Sequence, residues 1–125
     1  MGSLSVLLDT SVLLRVPGAD ESAVADHWAI SVVTVGELEA GILLATEDPM
    51  RAQRLRHMAA LLEVSPVLAV DRAVATRYGE LRAASGRVPS NDLWIAATAL
   101  AHGMRLVTAD PQQAALPLVA TTLVG

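Results

Sequence analysis

Residues 4–11 read Leu4-Ser5-Val6-Leu7-Leu8-Asp9-Thr10-Ser11. A short apolar run that stops on an acid and two hydroxyl residues predicts a buried strand, then a turn into a brief helix over residues 12–15. Working outward, the pattern recurs. Ala29-Ile30-Ser31-Val32-Val33 predicts a second strand and leads into Thr34-Val35-Gly36-Glu37, which has the spacing of a capping box. Leu38, Ile42 and Ala45 continue that helix on one face. Residues 67–70 predict a third strand, 105–108 a fourth and 118–121 a fifth.

Helical segments fill the intervals. Pro17-Gly18 breaks the chain before a helix over residues 20–26. Asp48-Pro49 opens another, with Leu55, Met58, Leu61 and Leu62 inward and Arg51, Arg54 and Arg56 mostly outward, and it pairs with the preceding helix as a hairpin. Asp71 caps a helix that ends at Ser85, with Gly86 at its C′ position. Pro89-Ser90 starts the helix over 91–102, Gly103 ends it, and a short helix lies near 111–115. Apolar strands alternating with helices predict a three-layer α/β/α sandwich around a mostly parallel five-stranded sheet, in one domain over residues 1–125. Ligands in such folds gather at the carboxyl ends of the strands. Asp9, the segment 34–37 and the segment 108–110 all stand there.

Composition narrows the chemistry. The chain has 125 residues, 53% of them hydrophobic, enough for one core. Aromatic residues are 2%, so base stacking is not the main grip on a nucleic acid. Cysteine is absent, which excludes disulfides, thiolate catalysis and Cys-bearing metal sites and fits a cytoplasmic setting. Asp9 interrupts the first apolar run too early for a signal peptide, and no stretch is long enough to span a bilayer. Net charge is −4 and every one of the 9 cations is an arginine. With no broad basic face, binding of a polyanion must rely on local arginines and bound cations.

Each acid has an ordinary explanation. Asp9 can cap the helix after it, Glu37 can complete the capping box, Asp92 can complement a helix dipole and Asp110 before Pro111 is a good N-cap. Asp48 and Asp71 also read as plain caps. What separates Asp9, Glu37, Asp92 and Asp110 is their joint placement at one edge of the sheet. Carboxylates crowded together resist ionisation unless a cation neutralises them, and all-oxygen donors suit Mg²⁺ or Mn²⁺. Such an ion binds a phosphate, activates a water and stabilises the leaving oxygen. Thr10, Asn91 and Thr108 are polar neighbours able to orient waters or ligands.

Rival chemistries fail on particular residues. A phosphoacceptor receiver domain needs a lysine, and there is none; a haloacid-dehalogenase-type phosphatase needs Asp where Ser11 stands. The phosphate-binding glycine loops and the G-x-S-x-G nucleophile motif are missing. His27, His57 and His102 sit on predicted helices without metal-ligand spacing, and Trp28 and Trp94 read as core or interface residues.

Four blocks, Leu7 to Leu13, Ser31 to Leu38, Asn91 to Ala97 and Leu106 to Asp110, resemble the PIN-domain family in order and spacing, and in particular the VapC-type toxins of bacterial toxin-antitoxin pairs. The resemblance covers nearly the whole chain. It implies a metal-dependent endoribonuclease that uses Mg²⁺ or Mn²⁺, with Asp9, Glu37, Asp92 and Asp110 as its acidic set. Asp9 and Asp92 would be direct ligands, Glu37 a ligand or a water-positioner, and Asp110 the last member. It further implies a homodimer and a cognate VapB-type antitoxin whose C-terminal segment covers the site, with RNA cleavage inhibiting translation and growth. Arg15 and Arg87 flank the first and third acids and are candidate RNA contacts. One departure lies after the last acid, where the family often carries an aromatic residue and this chain has Pro111-Gln112-Gln113-Ala114-Ala115-Leu116. Two other readings are a PIN nuclease of RNA processing outside a toxin-antitoxin pair, and a silent module that binds RNA or a partner without cutting.

Overall fold

In the computed structural model, which describes residues 5–15 and 27–125, strand β1 (Val6–Leu8) is buried along its whole length. Successive strand side chains point to opposite faces. Leu7 therefore enters one core, while Val6 and Leu8 enter another. The same division separates Ala29 from Ile30 on β2 (Trp28–Ser31) and Leu106 from Val107 on β4 (Arg105–Thr108). The first core is covered by α4 (Arg72–Ser85) and α5 (Ser90–Ala101), through Val74, Leu81, Leu93 and Ala96. The second is covered by α1 (Thr10–Arg15), α2 (Val32–Leu44) and α3 (Asp48–Val64), through Leu13, Leu38, Ile42, Met58 and Leu61. Two cores on one sheet make the expected α/β/α sandwich. Each fully buried leucine contributes about 2 kcal/mol, and the scarce aromatics add a stacked pair, Tyr78 on Trp94, with centroids 3.9 Å apart.

With β3 (Val67–Leu68) and β5 (Thr121–Leu123) the sheet runs β3-β2-β1-β4-β5. Every pairing is parallel, with Leu7 opposite Ala29 on one side and Leu106 on the other. The chain moves outward from β1 to β3, then returns to the other side of β1 for β4 and β5. That reversal puts the switch point between β1 and β4, and the ligand crevice of such a sheet opens there.

Several boundaries differ from the sequence expectation. Strand β2 stops at Ser31, whose hydroxyl accepts from the Val33 amide at 3.0 Å, so Ser31 and not Thr34 is the N-cap. Val32 and Val33 favour strands, but a good cap just before them and the packing of α2 override that preference. The Thr34 to Glu37 capping box does not form, and Glu37 lies well inside α2. The fifth strand begins at Thr121 and not at 118, because Leu118 has φ of 72°, a left-handed conformation that no strand contains. β3 is correspondingly shorter than residues 67–70.

On α3, Met58 and Leu61 are buried as expected, whereas Leu55 and Leu62 are exposed. Arg54 and Arg56 are exposed as expected and Arg51 is half-buried, but Arg51 and Arg54 also bind backbone. Arg51 donates to the carbonyls of Ala45 (2.5 Å) and Ile42 (3.4 Å), and Arg54 to that of Gly41 (2.6 Å). These cations close the carboxyl end of α2, where backbone acceptors lack helical partners. Asp48 makes no cap; it pairs with Arg51 at 3.3 Å. Asp71 does cap α4, through the Val74 amide at 3.0 Å, and Gly86 follows that helix with φ of 70°. His27 precedes β2 in a bend and His102 follows α5, so neither lies within a helix. Trp28 donates to Ser65 at 2.8 Å. The Pro17-Gly18 break, the expected helix over 20–26 and the side chain of Arg15 fall outside the described residues. Among the described residues no helix is long and apolar enough to cross a membrane.

Candidate active site

Asp9 leaves the carboxyl end of β1 buried, with its amide bonded to the Val107 carbonyl of the adjacent β4 at 2.8 Å. Its Oδ2 accepts from the Ser11 amide (3.1 Å), the Ser11 hydroxyl (2.5 Å) and the Thr108 hydroxyl (3.1 Å). The Ser11 amide bond is the local turn that sequence reasoning allowed for. The bond from Thr108 is not local, and it ties the ends of the two central strands to one carboxylate. Buried charge is tolerated only when hydrogen-bonded in this way.

Glu37 reaches the same edge from α2. The Thr10 hydroxyl donates to its Oε1 at 2.6 Å and the Asn91 amide to its Oε2 at 3.4 Å. Thr34, fully buried, sets its hydroxyl 2.9 Å from that of Thr10. Without the capping box, the ordinary explanation for Glu37 is gone: its carboxylate is held by side chains from two other helices, not by its own helix terminus.

Asp92 lies half-buried in the first turn of α5. Burial, then the negative charges of Asp9, Asp110 and Glu37, push its carboxyl up from the ordinary 3.8 to about 6. Asp92 therefore lies within the electrostatic field of all three other acids. Asp110 is also an N-cap, as its position before Pro111 suggested, since its Oδ1 accepts from the Gln112 amide at 2.9 Å. Its own amide donates to Thr108 at 3.0 Å.

The donor chemistry fits a hard divalent cation, because carboxylates, hydroxyls and the Asn91 carboxamide supply oxygen ligands around the site. Among the described residues, no three acidic or imidazole groups are drawn close enough to share one ion as they stand. Asp9, Glu37 and Asp110 are each engaged by hydroxyl or amide donors.

The PIN domain family profile matches residues 6–118 of this chain. The chain belongs to the PIN-domain family. Ribonuclease VapC4 of Mycobacterium tuberculosis is 42% identical to it over 118 residues, spanning 89% of this chain and 90% of the relative. Ribonuclease VapC5 of the same organism is 39% identical over 117 residues, spanning 88% and 86%. The crystal structure of VapBC-5, a member of the VapBC family of toxin-antitoxin systems from Mycobacterium tuberculosis, superposes with a TM-score of 0.80 at 37% identity and covers 98% of each chain.

Three polar residues of this PIN domain went unassigned from sequence. Thr34 looked like a cap. Ser11 links Asp9 to the β4 side, since its hydroxyl also accepts from the Ala109 amide at 2.9 Å and lies 3.2 Å from Thr108. Gln113, fully buried in α6 (Pro111–Ala114), donates to the Asp92 carbonyl at 3.1 Å. A repeated small-hydroxyl signal, Asp9-Thr10-Ser11 facing Thr108, was present for Ser11. Beside Glu37 a cleft of about 540 Å³ opens between α1, α2 and α3, lined by Leu13, Leu14, Leu38, Met50 and His57. Arg87 is exposed on the loop before α5.

Proposed function

We propose that this PIN domain is the toxin of a toxin-antitoxin pair, an endoribonuclease that uses Mg²⁺ or Mn²⁺ to hydrolyse RNA phosphodiester bonds in the cytoplasm and so inhibits translation and growth. The observation that carries this reading is the set of acids at the sheet's switch point: Asp9, buried at the end of β1 and bonded to Thr108 of β4, Glu37, held by Thr10 and Asn91, and Asp92, half-buried where burial and then the charges of Asp9, Asp110 and Glu37 raise its proton affinity. The ribonuclease names of its relatives and the toxin-antitoxin character of its structural neighbour support the same activity.

Asp9 and Asp92 would hold the cation, with Glu37 completing its shell directly or through water and Asp110 at the margin. When bound, the cation supplies positive charge to the scissile phosphate and the leaving oxygen and makes an attacking water more acidic. The chain's own residues do the aligning. Ser11 and Thr108 hold Asp9, while Thr10 and Asn91 hold Glu37 from either side. Arg87 is the proposed phosphate contact beside the site, Arg15 a second one. The homodimer and the VapB-type antitoxin complete the reading. The apolar cleft reaching Glu37 suits an antitoxin segment that packs hydrophobic side chains next to the acids.

The test is cleavage of a panel of structured RNAs by the purified chain freed of any partner. Discrete cleavage with Mg²⁺ is expected, stopping with EDTA and resuming when excess Mg²⁺ or Mn²⁺ is restored. Cutting that persists in EDTA, or metal binding without cutting across the whole panel, would overturn the proposal.

A further inference from the structure

Gln113 is the one glutamine in the core, and its placement is costly. Its side chain is fully buried, its Nε2 donates to the backbone carbonyl of Asp92 at 3.1 Å, and its Oε1 is buried with no hydrogen-bond partner among the described residues. The partner of Nε2 is itself an acceptor, so rotating the amide to exchange its ends would set two oxygens against each other. The orientation is thus fixed by Asp92. A buried acceptor without a donor costs about 1–3 kcal/mol, and apolar residues such as Leu or Met would fill the same space without that cost. For packing alone, glutamine is a poor choice here.

The position explains what the amide achieves. Gln113 stands three residues after Asp110, in the short helix that Asp110 caps. Asp92 opens α5, which is separated in sequence from that turn by the whole of β4. Apart from the sheet itself, the Gln113 amide is the named polar tie between the segment carrying Asp110 and the backbone carrying Asp92. The Asp92 carbonyl has a second lone pair to accept it in addition to any helical bond.

We propose that Gln113 is a positioning residue that fixes the backbone of Asp92 relative to the segment carrying Asp110, and so orients the Asp92 carboxylate that would hold a divalent cation. This rests on the metal-dependent reading of the site. Residues that orient metal ligands through a second layer of hydrogen bonds commonly change metal affinity by about 10- to 100-fold when removed.

The experiment compares the full chain with Gln113→Met, which keeps length and volume but has no donor, and Gln113→His, which retains an N–H. Mn²⁺ binding is read by calorimetry and by the spin-resonance signal of free Mn²⁺, and melting temperature is measured without metal. The Met variant is expected to bind Mn²⁺ about 10-fold more weakly while melting no lower than the parent, because the orphaned oxygen is gone. The His variant is expected to recover most of the affinity. A Met variant that binds as tightly as the parent would overturn the inference. One that fails to fold, or melts well below the parent, would also overturn it by showing that the amide only holds the core. If the parent itself binds no Mn²⁺, the functional reading falls and this inference with it; equal binding by parent and Met variant removes this inference alone.

Discussion

Asp92→Asn is expected to silence RNA cleavage and, at the same time, to raise the melting temperature of the metal-free protein. The two effects share a cause. In the folded chain the carboxyl of Asp92 is pushed up to about 6 from the ordinary 3.8 by burial and by three neighbouring acids. The folded state therefore holds this proton more tightly than the unfolded chain does. The stability linked to that proton is complete below about pH 4 and is lost as pH rises through about 6, so above pH 6 the charged group is a net burden. Because Asp92 is only half-buried, solvent reduces the penalty to about 1 kcal/mol, or about 4 °C in melting temperature for a domain of this size. Asparagine removes the charge and with it the pH dependence. Loss of a direct ligand to the catalytic cation would lower cleavage by at least about a thousandfold, equivalent to about 4 kcal/mol of transition-state stabilisation. Thermal melts of both proteins from pH 4 to 8, with EDTA present, and a single-turnover cleavage assay check the two halves. A variant that melts lower at pH 7 would contradict the electrostatic account, and one that cuts within tenfold of the parent would remove Asp92 from the acidic set.

Ser11→Ala is expected to act in the opposite sense on stability. The hydroxyl donates to Asp9, accepts from the Ala109 amide and touches Thr108, so its loss strands a backbone N–H and weakens the hold on a buried carboxylate. A cost of about 2 kcal/mol follows, or about 8 °C in melting temperature, together with a fall of about 10- to 100-fold in cleavage as Asp9 loses its orientation. Chemical denaturation and initial cleavage rates measure both. A melting temperature unchanged from the parent would mean that water replaces the hydroxyl, and that the side-chain tie from β4 to the Asp9 carboxylate is made by Thr108 alone.

Sequence and structure agree where physics is local. The apolar runs at 4–8, 29–33 and 105–108 each contain a buried strand, at Val6–Leu8, Trp28–Ser31 and Arg105–Thr108, and candidate acids stand just after the first and the last of these runs. Disagreement arises where two local signals compete. Ser31 and Thr34 are both good N-caps, and only the depth at which α2 packs selects the first and frees Glu37 for the site. Leu118-Val119-Ala120 is as strand-like as any run in the chain, yet a left-handed Leu118 delays pairing until Thr121. The arginines of α3 read as surface charge because their acceptors belong to a different helix. Gln113, and the reach of Ser11 to β4, were hidden for a related reason: these partners lie 21 and 98 residues away in sequence, and no spacing rule reaches so far. Asp110 is a cap whose charge also bears on Asp92, so a structural explanation for one acid does not compete with a functional one.

The two cores on opposite faces of the sheet have a consequence for when this molecule can do harm. Glu37 belongs to a helix docked on one face and Asp92 to a helix docked on the other, while Asp9 and Asp110 leave the strands between them. A chain with only one face covered brings together an incomplete set of acids. Under the proposed activity, cleavage would require both faces of the sheet to have closed, since neither face alone supplies all four acids.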